Sequence, residues 1–268
     1  MKMPLLESLR SRAVSEELIE LVGLSSDEDF VGPLAQFTAS GDKGIRRAVA
    51  WALGSISDPK VAQKLRALSE DPERDVRVEA ALALGRIRGA AGMSAVTRLL
   101  SDQDRFVLAA AASAAVHRWH QGHHSRGALD ALLSVARVYY ADEERPFDAE
   151  ASIRCGVALR ALGEIGADAV GPVEAEIGTT RSGELKSALC RVLGRVADSR
   201  SCRILVDLLR DPDSAVAMSA RSVLSRLGAK ASDALCQALV STDETVPQEL
   251  WLLAESGDIR AVPLLEAV

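Results

Sequence analysis

All four histidines of this 268-residue chain lie within eight residues, HRWHQGHH at positions 117–124. Neutral imidazole is a common ligand for zinc, copper and nickel. His117, His120, His123 and His124 are therefore the residues whose type and spacing most directly suggest chemistry. His117 and His120 share a face if the segment is helical, and His120 and His124 share one only if the helix continues through Gly122. Asp142, Glu143 or Glu144 would add an oxygen ligand only if the next helix folds back. The set is not HExxH, and no ligand shell is complete. The stretch reads first as a polar turn with Trp119 tucked against its neighbours. A metal site and a histidine-rich contact point for a partner are the alternatives.

Other chemistry is hard to find. There is no GxGxxG after a strand, no GxxxxGK[ST] and no GxSxG elbow, and with every histidine in one segment nothing marks a triad. Cys155, Cys190, Cys202 and Cys236 are widely spaced among apolar residues with no CxxC pair, so they read as buried free thiols in a reducing compartment. No catalytic residue and no cofactor is expected. A net charge of −6 and a pI near 5.4 argue against a general nucleic-acid binder. Arg46, Arg47, Arg74, Arg77, Arg86 and Arg88 make the early segment locally basic, but Asp71, Glu73 and Asp75 are interleaved with them. The N-terminal stretch carries charges every few residues, and no window approaches the roughly 18 apolar residues of a membrane span. A soluble cytoplasmic protein is expected.

The elements that position these residues follow from a repeat. Hydrophobic residues make up 48% of the chain and aromatic residues only 3%, which favours closely packed helices rich in Ala, Leu, Val and Ile. AVAWALGSISD (48–58), AALALGRIRG (80–89), VALRALGEIGAD (157–168) and SALCRVLGRVAD (187–198) are copies of one pattern. Its anchors are Gly23, Gly54, Gly85, Gly163, Gly194 and Ser225, at intervals of 31 residues within each run, and Ala254 aligns in a shortened last copy. That period accommodates two helices of about three turns each with short turns between. Second amphipathic helices follow the anchors at 59–70, 91–102, 199–211 and 230–241, with apolar residues such as Val61, Leu65 and Leu68 on one face. Asp-Pro at 71–72 and 211–212 is expected to cap and open the next helix. One helix pair cannot bury its apolar face, but a stack of pairs can.

The stretch DPERDVRVEAALALGRIRG (71–89) resembles the short HEAT-like repeat named after phycobilisome lyases, roughly D-P-x-x-x-V-R-x-x-A-A-x-A-L-G. Arg46 and Arg77 hold the family arginine position, whereas Leu108, Cys155, Lys186 and Ala217 replace it. The resemblance covers nearly the whole chain. It implies an all-α fold, a right-handed α-solenoid of about eight antiparallel helix pairs forming a single domain over 1–268. Between Gly85 and Gly163 lie 78 residues, which leaves about 16 beyond two regular repeats. The expected insertion, at about 117–148, lengthens one turn and one helix. HEAT-like hydroxylases hold iron through His-Glu dipeptides, and no histidine here precedes a glutamate. HEAT-like DNA glycosylases need a basic, aromatic-bearing cleft, whereas Trp51, Trp119 and Trp251 read as packing residues.

By the same resemblance the second helices line a concave surface. Gln63, Lys64, Ser94, Arg98, Glu176, Arg203, Asp207 and Gln237 form a ladder of mixed sign there, suited to a protein partner more than to a polyanion. The N-terminal helix is polar on its outer face, whereas the apolar AVPLLEAV end suggests an oligomer or continuation through an uncapped end. The function expected is a non-enzymatic scaffold or adaptor for partner proteins. The alternative is a bilin-lyase-like or metal-dependent accessory protein using His117–His124.

Overall fold

The computed structural model describes residues 2–10, 14–87, 89, 92–141, 148–241 and 247–262. All regular structure among them is helical. After α1 (Lys2–Arg10), first and second helices alternate. The first helices are α2 (Glu16–Leu24), α4 (Lys43–Ile56), α6 (Arg74–Arg86), α8 (Arg105–His120), α10 (Ala149–Ile165), α12 (Gly183–Val196), α14 (Ser214–Leu227) and α16 (Pro247–Glu255). The second helices are α3 (Val31–Ala35), α5 (Ala62–Leu68), α7 (Met93–Leu99), α9 (Arg126–Tyr140), α11 (Ala167–Thr179), α13 (Ser199–Asp207) and α15 (Ser232–Ser241), several extended by a 3-10 turn. The chain is an all-α solenoid of repeated helix pairs. The interrupted repeat carries long helices, with 16 residues in α8 and 15 in α9 against 7 in α7.

The chain divides into two compact units, Met1–Val135 with Phe147–Ala158 and Ala136–Pro146 with Leu159–Val268. In the first, α2, α4, α6 and α8 pack in succession, and in the second α12, α14 and α16 do so. The anchor glycines explain how. They lie inside the first helices, one or two residues before the end, and are small because the next first helix presses on them. A Cβ on Gly54 would meet the Cα and Cβ of Ala83 at 2.7 and 2.6 Å, and one on Gly85 would meet those of Ala114 at 3.0 and 2.9 Å. Gly23 faces Ala52, and Gly194 faces Val223, in the same relation. The turns use other residues: Ser57 and Ala197 take the left-handed conformation after α4 and α12, with φ of 57° and 54°. The period thus records helix–helix contact, not turn chemistry.

A polar bridge ties consecutive repeats. Arg46 donates to Asp71 through Nε at 2.7 Å and Nη2 at 3.0 Å, and through Nη1 to the Ser40 carbonyl at 2.8 Å. Arg77 repeats the pattern on Asp102 and the Asp71 carbonyl. Lys186 donates to Asp211 at 2.9 Å, so a lysine in the arginine register makes the same link. Where Cys155 stands, the neighbouring Arg154 donates to the Asp102 carbonyl and to Gln103. The Asp-Pro aspartates do not cap the helix directly. Asp71 and Asp211 accept from the N–H groups of Glu73 and Asp213, and the helices start one residue later still. Bidentate pairing of this kind fixes geometry as well as charge.

Two predictions follow from these contacts. Gly54→Ala should destabilise the chain by about 1–3 kcal/mol through overpacking, whereas Gly156→Ala, at an exposed helical position with open space around it, should stabilise by roughly 0.5–1 kcal/mol; urea unfolding followed by circular dichroism reads both. Burial pushes the Asp71 carboxyl up, but hydrogen bonds from Arg46 and from the Glu73 N–H outweigh it, so the carboxyl is held below its ordinary range. A depressed carboxylate contributes stability above its unfolded value of about 3.9 and loses it as pH falls through the folded value. Asp71→Asn should therefore lose less stability than wild type between about pH 5 and pH 3.

Candidate functional site

The histidine stretch is a helix end. α8 stops at His120, and Gly122, with φ of 86°, closes it in a Schellman motif: the Gly122 N–H donates to the Trp119 carbonyl at 2.9 Å and the His123 N–H to the Arg118 carbonyl at 3.0 Å. The helix does not continue through Gly122, so His120 and His124 do not stand one turn apart. His117, His120 and His124 are exposed and His123 is half-buried. His124 stacks on Trp119, with centroids 4.8 Å apart and planes 2° from parallel, and His117 Nε2 lies 2.9 Å from Gln121 Nε2. Among the described residues no three His, Cys, Asp or Glu side chains are grouped to hold a metal ion. Asp142, Glu143 and Glu144 lie outside the described residues.

The residue of this stretch that the structure depends on is the one between the histidines. Arg118 is wholly buried. Its Nη1 donates to the carbonyls of Leu84 at 3.2 Å and Ile87 at 2.8 Å, and its Nη2 to that of Gly89. These are carbonyls at and beyond the C-terminus of α6, where a helix leaves acceptors unpaired and carries partial negative charge. Among the described residues no carboxylate pairs with this guanidinium and its Nε has no partner. Burial pushes Arg118 down from the ordinary arginine value. The helix end takes the place of a counter-ion. In the 31-residue register this position is aliphatic in five copies, filled by Ile56, Ile87, Ile165, Val196 and Leu227, and serine in the first and last, Ser25 and Ser256. An arginine in a column of aliphatic and serine residues is the sequence signal that marks this position.

The predicted ladder divides between the units. In the first, Gln63 and Lys64 on α5 and Ser94 and Arg98 on α7 are exposed, with Arg98 paired to Glu70. In the second, Arg203, Asp207 and Gln237 are exposed, but Glu176 is not. It is buried and held by Arg137 in a two-bond contact, 3.1 Å from its Nε, which removes it from any open face. The ladder expectation overlooked that partner because the two residues are 39 positions apart. Arg203, Asp207 and Gln237 meet at one cleft of about 290 Å³ between α13 and α15, floored by Val206 and Ala234. The exposed Arg203 donates through Nε to the Ser199 carbonyl at 3.3 Å, and no described residue pairs with its terminal nitrogens. The thiols of Cys155, Cys190 and Cys202 are buried and that of Cys236 half-buried, and burial pushes Cys190 up to about 12, an inert value. Of the tryptophans, Trp119 is buried, Trp51 half-buried and Trp251 61% exposed, so Trp251 is not a packing residue among the described contacts. No helix is long and apolar enough to cross a membrane among the described residues. The terminal residues 263–268 lie outside them.

A family model described as HEAT repeats matches residues 3–75 and 172–254, more than half of the chain. The chain belongs to the HEAT-repeat family. No match is found among curated protein sequences. Yeast importin-β (Kap95p) shares the HEAT-repeat fold with a TM-score of 0.56 at 13% identity, over 98% of this chain and 41% of that one. Importin-β in an ammonium sulfate condition gives 0.58 at 13% identity over 96% and 40%. The CpcE–CpcF complex of phycocyanin lyase from Nostoc sp. PCC7120 gives 0.43 at 19% identity over 93% and 96%. This chain spans about two fifths of the importins. Within the HEAT-repeat frame the matched segments flank the interrupted repeat, where Arg118 and the lengthened helices depart from the pattern.

Arg118→Met should destabilise this HEAT-repeat chain by about 3 kcal/mol or more, since it strands buried carbonyls. The exposed substitutions His117→Ala and His120→Ala should stay within roughly 0.5 kcal/mol. Chemical denaturation of the three variants checks the difference.

Proposed function

We propose that this HEAT-repeat chain is a non-enzymatic cytoplasmic scaffold that holds a partner protein against the exposed side of its second helices, with the α13–α15 cleft as a principal contact. The observation that carries this reading is the convergence of Arg203, Asp207 and Gln237 on one cleft with an apolar floor. A depression with an apolar centre and polar groups of both signs around it has the make-up of a protein-recognition surface. Arg203 adds a guanidinium whose terminal nitrogens are unpaired among the described residues, and arginine is enriched among the residues that dominate binding energy. The second helices supply rigidity: each is fixed by its own apolar face, as Leu205 and Leu235 are here, so the opposite side can vary without loss of fold. Kap95p, a protein of the same fold, binds RanGDP.

A photo-crosslinker in place of Gln237 would capture the partner in cells, and the affinity of the purified pair would then be measured for Arg203→Glu and Asp207→Lys. Each reversal is expected to weaken binding by about tenfold or more, equivalent to roughly 1.4 kcal/mol. An affinity unchanged by both reversals, with helicity intact, would remove the α13–α15 cleft from the interface.

A further inference from the structure

We infer that a second cleft, formed by α2, α4 and α6 in the first unit, receives a lysine or arginine side chain from a partner polypeptide. This goes beyond the scaffold reading and stands on different helices, those of the first set. The cleft has a volume of about 430 Å³ and is lined by Glu20, Leu24, Arg47, Ala48, Trp51 and Glu79. Trp51 is half-buried and rests on an anchor glycine: a Cβ at Gly23 would stand 2.6 Å from the ring carbon Cζ3. The small residue that lets the helices approach thus also seats the indole at the cleft.

The charges around the ring are asymmetric once internal pairs are assigned. Arg47 donates to Glu16 at 2.9 Å, and Glu79 accepts from Arg86 at 2.9 Å. Glu20 is exposed, and no described residue pairs with its carboxylate. An indole in the wall of a cleft that also holds a carboxylate unpaired among the described residues attracts a cation twice, through the ring quadrupole and through its charge. Elsewhere the chain supplies such a cation itself. Phe106, exposed on α8, has the guanidinium carbons of Arg74 and Arg105 at 5.2 and 4.8 Å from its ring centroid. Among the described residues no cation lies over Trp51. Leu24, 70% exposed, offers apolar surface of the kind that the alkyl stem of a lysine or arginine covers. An anionic group would be repelled by Glu20, and an aromatic or aliphatic side chain would desolvate that carboxylate without compensation.

The test uses the full chain labelled with 15N, in which the Trp51 indole N–H signal is assigned by Trp51→Phe. Blocked pentapeptides bearing a central arginine or lysine are titrated beside their neutral counterparts with citrulline or norleucine. The cationic peptides are expected to shift the Trp51 signal saturably in the millimolar range, and the neutral ones to bind at least about fivefold more weakly. Glu20→Gln, an exposed change, should weaken the cationic peptides by at least about threefold, while circular dichroism and the Trp119 signal stay in place. An absent shift, an equal response to norleucine, or indifference to Glu20→Gln would each overturn the assignment. None of these outcomes bears on the α13–α15 cleft.

Discussion

The close approach of successive first helices at single small residues is the constraint on which the rest of this structure depends. At Gly54 and Gly85 there is no room for a methyl group, because the backbone of the next first helix lies within about 3 Å of where it would be. Such contact explains a composition rich in alanine and poor in aromatic residues. It also explains why the period is held so strictly: the glycine of one repeat and the alanine of the next, twenty-nine residues on, must meet at the same height. The Arg46–Asp71, Arg77–Asp102 and Lys186–Asp211 bridges then set the spacing from the polar side, each reaching twenty-five residues forward.

The interrupted repeat shows what happens when this order is disturbed. α8 has no anchor glycine, for Val116 stands in that register, and two positions later an arginine occupies the largely aliphatic column. The arginine reaches back to the end of α6 and satisfies carbonyls there. A buried guanidinium is costly unless its donors are used, and here helix-terminal acceptors use those of its two terminal nitrogens. With Arg118 and Trp119 turned into the protein, His117, His120 and His124 are left on the outside.

On the reading proposed above, function rests on what the stack does not consume. Several polar groups on the helices are taken up in bridges, caps and ion pairs, including Glu176 through Arg137 and Glu79 through Arg86. Two clefts retain uncommitted charge. The one between α13 and α15 offers a guanidinium, Arg203, and the one among α2, α4 and α6 offers a carboxylate, Glu20, beside an indole. The two lie on different sets of helices. On the scaffold reading proposed above, two such clefts would let the chain discriminate among partners rather than bind acidic or basic surfaces generally.

By itself the sequence determined the fold class, the alternation of first and second helices, the register of Gly54, Gly85 and Gly194, and the break after the fourth first helix. These depend on periodicity, and periodicity is a local property of the chain. The tertiary structure alone decided why the anchors are glycines, that Lys186 does an arginine's work, that Arg118 rather than the histidines is the key residue of its segment, and that Glu176 is closed off. Each of these depends on a partner 25 to 39 residues away whose distance and burial no local pattern encodes. The two clefts belong to the same class. Their walls come from neighbouring repeats, so their chemistry exists only once the helices have packed.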